Sequence, residues 1–413
     1  MVTVMDTMPN MRVKMVPKSN EYMALHREKI LTPSFWVLLT FTVIGFYCIG
    51  LRYVMGIGAV SNLSDGFPWG IWIAYDVATG TALACGGYAL AIVIYIMNGW
   101  KYHPLIRSAI VTSLFGYALA GFSVMVDLGR YWNAYSFFIP SRWQVNSVMF
   151  EVAVCVMAYN VVLAIELLPA ILERFVHSTN PRFPKLKEFA RKIYPKLDKV
   201  LIFFIILGIT LPTMHQSSLG SMMIIAGSKL NPIWQTGFLP ILFLINAMYI
   251  GYSVIIFEST LSSVAFGRPF EKEVRIIAKV IPYLTAAWLI IRFADLYYRG
   301  HLSTAFSGDY YSKMFLAETL LIAGGAYMLT WKHFRMSPRW VFVSAVMLCV
   351  GGSWYRFSVY IIGFNPDKGW AYFPSLPEFF ITLGLVAFEI LGYMVLVKMF
   401  PIMPNLEGHK KSA

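Results

Sequence analysis

Ten stretches of this chain are too long and too apolar to be the interior of a water-soluble domain, and they constrain everything else. They run at about 34–56, 69–97, 105–128, 144–168, 199–226, 235–264, 277–298, 311–331, 339–363 and 377–400. At ~1.5 Å of rise per residue, each can cross the ~30 Å of hydrocarbon in a bilayer. No water reaches that depth, so backbone N–H and C=O groups must be satisfied inside each segment, as a helix does. The whole chain is 58% hydrophobic and only 13% charged, which suits a bundle of many spans. The expectation is an all-α integral membrane protein of about ten transmembrane helices. It has a tail at 1–33, a membrane domain at 34–404 and a short tail at 405–413. The first thirty residues lack a short apolar core followed by a small-residue cleavage site, so no signal peptide is expected.

A net charge of +13 invites a nucleic-acid reading, but the positive residues sit in alternate gaps between the spans. Arg12, Lys14, Lys18, Arg27 and Lys29 precede the first span, and Lys101 and Arg107 follow the second. A dense run from Arg174 to Lys199 follows the fourth, making a basic hairpin at 169–198 that suits an inside anchor, anionic lipid or a soluble partner. Arg268, Lys272, Arg275 and Lys279 follow the sixth and Lys332, Arg335 and Arg339 the eighth, with Lys398, Lys410 and Lys411 at the end. The other gaps carry few basic residues. The positive-inside rule therefore places both termini in the cytoplasm, with an even number of spans. Nucleic acid is excluded as a partner and membrane lipid is implied. The opposite loops are aromatic, rich in Gly and Pro and nearly neutral, as in Gly66–Gly70, Arg130–Asn133, Ala305–Tyr311 and Trp370–Pro374. Such loops suit an interfacial aromatic belt, and also the docking of a second protein.

Cys48, Cys85, Cys155 and Cys349 lie in four different apolar segments with no Cys-x-x-Cys, so no iron–sulfur cluster or zinc site has a local ligand set. Among the seven histidines only His215 lies inside an apolar segment, and a bis-histidine haem needs two that face each other. The expectation is a chain with no haem, no iron–sulfur cluster and no other metal centre.

His215 sits in Leu211–Ser221, a stretch that places an imidazole, an amide and several hydroxyls at membrane depth. Polar groups there are costly unless paired or facing a cavity, so they mark function by default. The plainer alternative is a histidine that only ties two helices. Other ionisable groups at depth are Arg52, Asp76, Asp127, Glu151, Arg292, Asp295, Glu318 and Arg356 towards the outer face. Glu166 and Glu258 lie towards the inner face, and Glu389 lies near the middle of the last span. Arg292 and Asp295 are neighbours on one helix face, and Arg356 and Glu318 are placed to meet across adjacent spans; both pairs suit structural ties. Glu151 and Asp127 have no such partner apart from Arg130 beside Asp127. With Tyr117 about three turns deeper, they could bind a quinone carbonyl and exchange its protons. Glu258, Glu166 and Glu389 suit a proton relay from the inner surface.

The blocks Gly66-Phe67-Pro68-Trp69-Gly70, Cys85-Gly86-Gly87, Asp127–Trp132, Val145–Glu151, Pro212–Ser218 and Ala371–Pro374 resemble the NrfD/PsrC superfamily. Within it they are most similar to the membrane subunits of Hyb-type uptake [NiFe] hydrogenases. The resemblance covers about 34–404. It implies a haem-free protein with two four-helix bundles, segments two to five and six to nine, flanked by two further helices, in the bacterial cytoplasmic membrane. It also implies menaquinone or another quinone as substrate. The implied partners are a periplasmic ferredoxin-like iron–sulfur subunit and the large and small [NiFe] hydrogenase subunits, or a multihaem cytochrome in a related complex.

On that basis the expected site lies in the outer half. Tyr117 and His215 bind quinone carbonyls, Glu151 and Asp127 handle protons, and Arg130 tunes Asp127. Two other readings stay open. A proton-coupled secondary transporter also needs buried charges, although its helices break near the midplane, whereas the Gly/Pro interruptions here fall mainly at segment ends. A plain membrane anchor needs no quinone site.

Overall fold

The structure is a computed structural model that describes residues 22–24, 30–176, 184–265, 272–367 and 369–404. The tail 405–413, most of the tail 1–33 and several basic residues on which the expected orientation rests, including Arg182 and Arg268, lie outside the described residues.

Each apolar stretch forms a helix or a helical composite. We number them α1 (Pro33–Met55), α2 (the composite Trp72–Ile96), α3 (Ile106–Asp127), α4 (Val148–Val176), α5 (Pro184–Ile225), α6 (Leu239–Ala265), α7 (Ile281–Tyr298), α8 (Tyr310–Thr330), α9 (Pro338–Phe357) and α10 (Leu376–Met399). Among the described residues nine of these regions are long and apolar enough to cross a membrane. The remaining one, α8, is 21 residues long and more polar, and it packs between α7 and α9.

Local sequence sets several ends. Thr32 accepts a hydrogen bond from Phe35 N ahead of Pro33, and Asp309 accepts one from Ser312 N at the start of α8. Ser375 and Glu378 form a reciprocal capping box on α10. Arg52 of α1 closes the far end of α3, where its guanidinium donates to Val126 O at 2.6 Å and to Leu128 O. These carbonyls have no intrahelical partner, and a cation suits a helix C-terminus.

The helices α2 to α5 pack as one bundle and α6 to α9 as a second, while α1 and α10 form a pair laid against α3. The α1–α10 crossing is so close that a Cβ on Gly45 would lie 2.7 Å from Gly384 Cα. Small residues permit such contact in lipid, where packing rather than water exclusion drives association.

The sequence-derived boundaries change in two places. The basic hairpin at 169–198 is helical where it is described. It extends α4 to Val176 and begins α5 at Pro184, and α5, with 42 residues, is ~63 Å long. Leu172, Ala190 and Leu197 give this extension its own small core, which stabilises helix beyond the apolar run. In addition, α2 is broken mid-span. Two π-helical turns, Trp72–Val77 and Ile92–Ile96, flank short α-helical pieces around Thr79 and Cys85. Interruptions expected at segment ends therefore occur inside a span as well. Neighbouring helices bond to the carbonyls along this span: Arg356 donates to Ala78 O at 2.6 Å, Ser113 to Ala84 O at 2.6 Å and Tyr252 to Ala89 O at 2.9 Å, the last of which also accepts from Ile92 N. Irregular backbone is tolerated at this depth only when so satisfied. At the α2–α6 contact, Gly251 admits the Cys85 carbonyl, which would lie 2.8 Å from a Cβ there.

At the basic end, Tyr22–Met23 pairs antiparallel with Met403–Pro404. Tyr22 donates to His103 O at 2.7 Å and stacks under Arg107, which pairs with Glu173 at 2.7 Å.

Candidate functional site

The break in α2 presents Thr81 to the interior of the first bundle. Its hydroxyl donates to Val77 O at 2.7 Å, so its oxygen is left to accept. His215 Nε2 lies 3.2 Å from it and Gln216 Nε2 donates to it at 3.1 Å. Gln216 Nε2 also donates to the Tyr117 hydroxyl at 3.2 Å, and Tyr117 has Cys85 Sγ at 3.5 Å. The Tyr117 ring stands edge-on to His215 at 5.4 Å and to Tyr159 at 4.6 Å. All of these side chains are fully buried.

Two atoms in this cluster, His215 Nδ1 and Gln216 Oε1, have no hydrogen bond of good geometry. Each can accept from a ligand hydroxyl, while Tyr117 holds a phenolic proton with only a thiol nearby. Unsatisfied buried groups are rare in native proteins and ask for an explanation. The Val152 main chain of α4 lies beside the imidazole, one residue after Glu151. Glu151 is half-buried in the first turn of α4, at the aromatic end of the bundle. The structure thus brings His215 and Tyr117 together, while Glu151 is one residue before the main chain that borders the imidazole.

Asp127 is placed elsewhere. It ends α3, with Oδ1 buried and unpartnered, within electrostatic reach of Arg52 and Glu378. Arg130 is exposed in the following loop, and the guanidinium that neighbours Asp127 is that of Arg52. Glu378 accepts from the Tyr372 hydroxyl at 2.6 Å. Burial, reinforced by that bond, holds the Tyr372 phenol well above its ordinary pKa. Tyr372 in turn accepts from Ile71 N at 2.8 Å, which fixes the loop that leads into α2.

The interior acids fall on two lines. Glu258 accepts from Thr112 at 2.5 Å and borders a cavity of ≈ 20 Å³ at the basic end, with Ser108, Ser259 and Ser262. Glu389 lies within electrostatic reach of both Glu258 and Asp76. Asp76 is held by Ser123 at 2.9 Å and Thr382 at 3.2 Å. Glu166 is on the second line. It borders a cavity of ≈ 40 Å³ with Tyr95, His103 and Arg107, and reaches Tyr159, the ring against Tyr117. The single relay expected from Glu258, Glu166 and Glu389 therefore divides, because Glu166 lies in the first bundle while Glu258 and Glu389 face α3 from other helices.

The four charged residues of the second bundle pair differently from expectation. Arg292 meets Glu318 at 2.5 Å rather than Asp295, and Asp295 pairs with Arg299 at 2.6 Å. Glu318 also accepts from Ser358 at 2.5 Å and from Trp234 at 3.0 Å. Arg356 does not reach Glu318. It donates to Asn246 Oδ1 at 2.5 Å, Ala78 O at 2.6 Å and Phe243 O at 2.7 Å, tying the two bundles together.

Sequence reasoning left Thr81, Tyr159, Gln216 and Glu378 out of the site, although Gln216 is the residue after His215 in the polar stretch. Tyr159 lies seven residues before Glu166, which puts both on one face of α4. Glu378 carried the Ser-x-x-Glu capping signal. Thr81 had no signal, because its role follows from the break in α2.

A family profile described as "Polysulphide reductase, NrfD" matches residues 59–365. The chain is 42% identical over 383 residues to the "Probable Ni/Fe-hydrogenase 2 b-type cytochrome subunit" of Escherichia coli (strain K12), covering 92% of this chain and 94% of that one. It is 26% identical over 403 residues to "Menaquinone reductase, integral membrane subunit" of Nitratidesulfovibrio vulgaris, covering 90% of this chain and 92% of that one.

A haem held by two histidines, the usual ligation of the b-type haem that the Escherichia coli name implies, does not fit the described residues. Its usual paired histidines would have to face each other, whereas the two buried ones, His103 and His215, are far apart. His103 lies fourteen residues from Tyr117, the neighbour of His215, or roughly 20 Å along the helix. Among the described residues no group of three or more His, Cys, Asp or Glu side chains converges to hold a metal ion.

Proposed function

The chain belongs to the NrfD (polysulphide reductase) family, and from that premise we propose that it is the quinone-exchanging subunit of a periplasm-facing redox complex. It is a multi-pass protein of the bacterial inner membrane. The relatives named above as hydrogenase and menaquinone reductase subunits support a Hyb-type [NiFe] hydrogenase complex with menaquinone as substrate. In this reading the basic loops and both termini are cytoplasmic, so the aromatic end is periplasmic. Exposed Trp132, Phe138, Tyr298 and Phe373 there offer a docking face to an iron–sulfur subunit.

The observation that carries the reading is the buried His215–Gln216–Thr81–Tyr117 cluster, with Gln216 Oε1 unpaired and only the Val152 main chain beside His215 Nδ1, inside a lipid-embedded bundle. A hydroquinone has two hydroxyls to donate and a quinone has two carbonyls to accept. His215 and Gln216 answer the first need and Tyr117 the second. Reduction of a quinone takes two electrons from the iron–sulfur partner and two protons. Glu151, next to Val152 in sequence, and Glu166 through Tyr159, are placed to exchange protons with this cluster. Glu258, Glu389 and Asp76 form the second line from the cytoplasmic side. Proton uptake from that side with electrons from outside separates charge across the membrane.

Asp127 stands at the periplasmic rim, where Arg52 balances its charge, and we assign it to proton exchange with the exterior. The test is binding of a fluorescent quinone-site inhibitor to the purified protein. Saturable binding should be lost in His215→Ala and Gln216→Ala with the fold intact. Unchanged binding in both variants would return the cluster to a structural tie.

A second reading, a proton-coupled transporter, is favoured by the mid-span break in α2. Uptake of a solute by proteoliposomes holding this chain alone would support it.

A further inference from the structure

A crevice of ≈ 480 Å³ opens on the flank of the molecule between α2 and α9. Tyr75, Leu83, Val350, Ser353, Trp354 and Phe357 are on its walls. Val350 is exposed at its mouth, while the others are half-buried. We infer that this crevice is a lateral quinone-binding site, which receives an isoprenoid quinone from the bilayer and holds its headgroup at the Tyr75–Trp354 end. The inference rests on the quinone reading above and adds a second location to it.

Four observations carry it. The volume is of the order of small-ligand pockets, and the lining is mostly apolar, as a substrate dissolved in lipid requires. The Trp354 ring is on the wall and its indole N–H, enclosed just behind it, is unpartnered, a donor that a turn of the ring towards the crevice brings to a quinone carbonyl and that an acyl chain cannot satisfy. Tyr75 adjoins Asp76 in sequence and lies within electrostatic reach of Glu389. The line from Glu258 therefore ends against this wall rather than at His215. Finally, α2 separates the crevice from the buried cluster: Thr81 and Cys85 face Tyr117, while Tyr75 and Leu83 line the crevice. An ordinary phospholipid tail fits the apolar walls equally well but leaves the indole N–H, and the acids behind Tyr75, without a function.

An azido-substituted decylquinone, photolysed in membranes holding the full-length chain and its complex, tests the assignment. Labelled peptides should map to 72–83 and 349–362, and excess unlabelled decylquinone should suppress labelling while added phospholipid should not. Val350→Trp, which fills the mouth, should raise the KM for decylquinone about tenfold, equivalent to ~1.4 kcal/mol, with kcat and the thermal midpoint unchanged. Labelling suppressed equally by phospholipid, or an unchanged KM in a folded Val350→Trp protein, would overturn the assignment. Labelling confined to peptides containing Tyr117, Glu151 or His215 would overturn this site while leaving the quinone reading standing. Absence of any competable labelling would overturn both.

Discussion

The network around Glu318 in the second bundle and the cluster around His215 in the first hold buried polar groups in different ways. Around Glu318 the charges are matched: Arg292 with Glu318, Asp295 with Arg299, and Glu318 further bonded to Ser358 and Trp234. Arg292 also lies over the rings of Trp288, Phe315 and Tyr355 at 4.5–4.8 Å, which suits a cation removed from water. In α2 to α5 the groups are mainly neutral at the cluster, and His215 Nδ1 and Gln216 Oε1 are left without good partners. A matched network resists change and fixes geometry. A network with spare acceptors carries a standing cost that a ligand can relieve. The contrast assigns architecture to the Glu318 network and chemistry to the His215 cluster.

Breaking a matched pair should have the largest effect on the fold. Glu318→Ala leaves the Arg292 charge buried and alone, which costs roughly 3–5 kcal/mol. Thermal unfolding of the detergent-purified protein should show a large loss, and a near-normal midpoint would dissolve the contrast. His215→Ala should do the reverse, lowering quinone turnover by about 10²-fold with little change in thermal midpoint. If both quantities fall together, the cluster is structural too.

Glu258→Gln sharpens the division between the two acid lines. Quinone reduction should slow by about tenfold, and the membrane potential formed per turnover should fall, because the second line loses its cytoplasmic acid. Unchanged potential and rate would remove that line from the mechanism. The smallest effect belongs to a position outside both bundles. Ser375→Ala removes half of the α10 capping box and should cost about 1 kcal/mol, with quinone turnover unaffected.

Much of the architecture was written in residue patterns. Pro33 after Thr32 and Ser375 three residues before Glu378 specify helix starts locally. His215 and Tyr117 could be singled out because a polar side chain at membrane depth is visible from hydropathy alone. Their convergence was not visible, since it depends on how α3 and α5 rotate about their axes. Arg130 shows the same limit: three residues from Asp127, it stands exposed while Arg52, 75 positions away in sequence, occupies the place expected of it.

What the sequence determined by itself was therefore the set of ten apolar segments, several of their caps and the identities of the buried ionisable groups. These follow from solvation and local backbone hydrogen bonding, which act on each segment separately. The tertiary structure alone decided the partners: Glu318 for Arg292, Thr81 for His215, Asn246 and the Ala78 carbonyl for Arg356. It also decided the break in α2, because a span can unwind in lipid only where its carbonyls are bonded, here with the help of Ser113, Tyr252 and Arg356 from other helices.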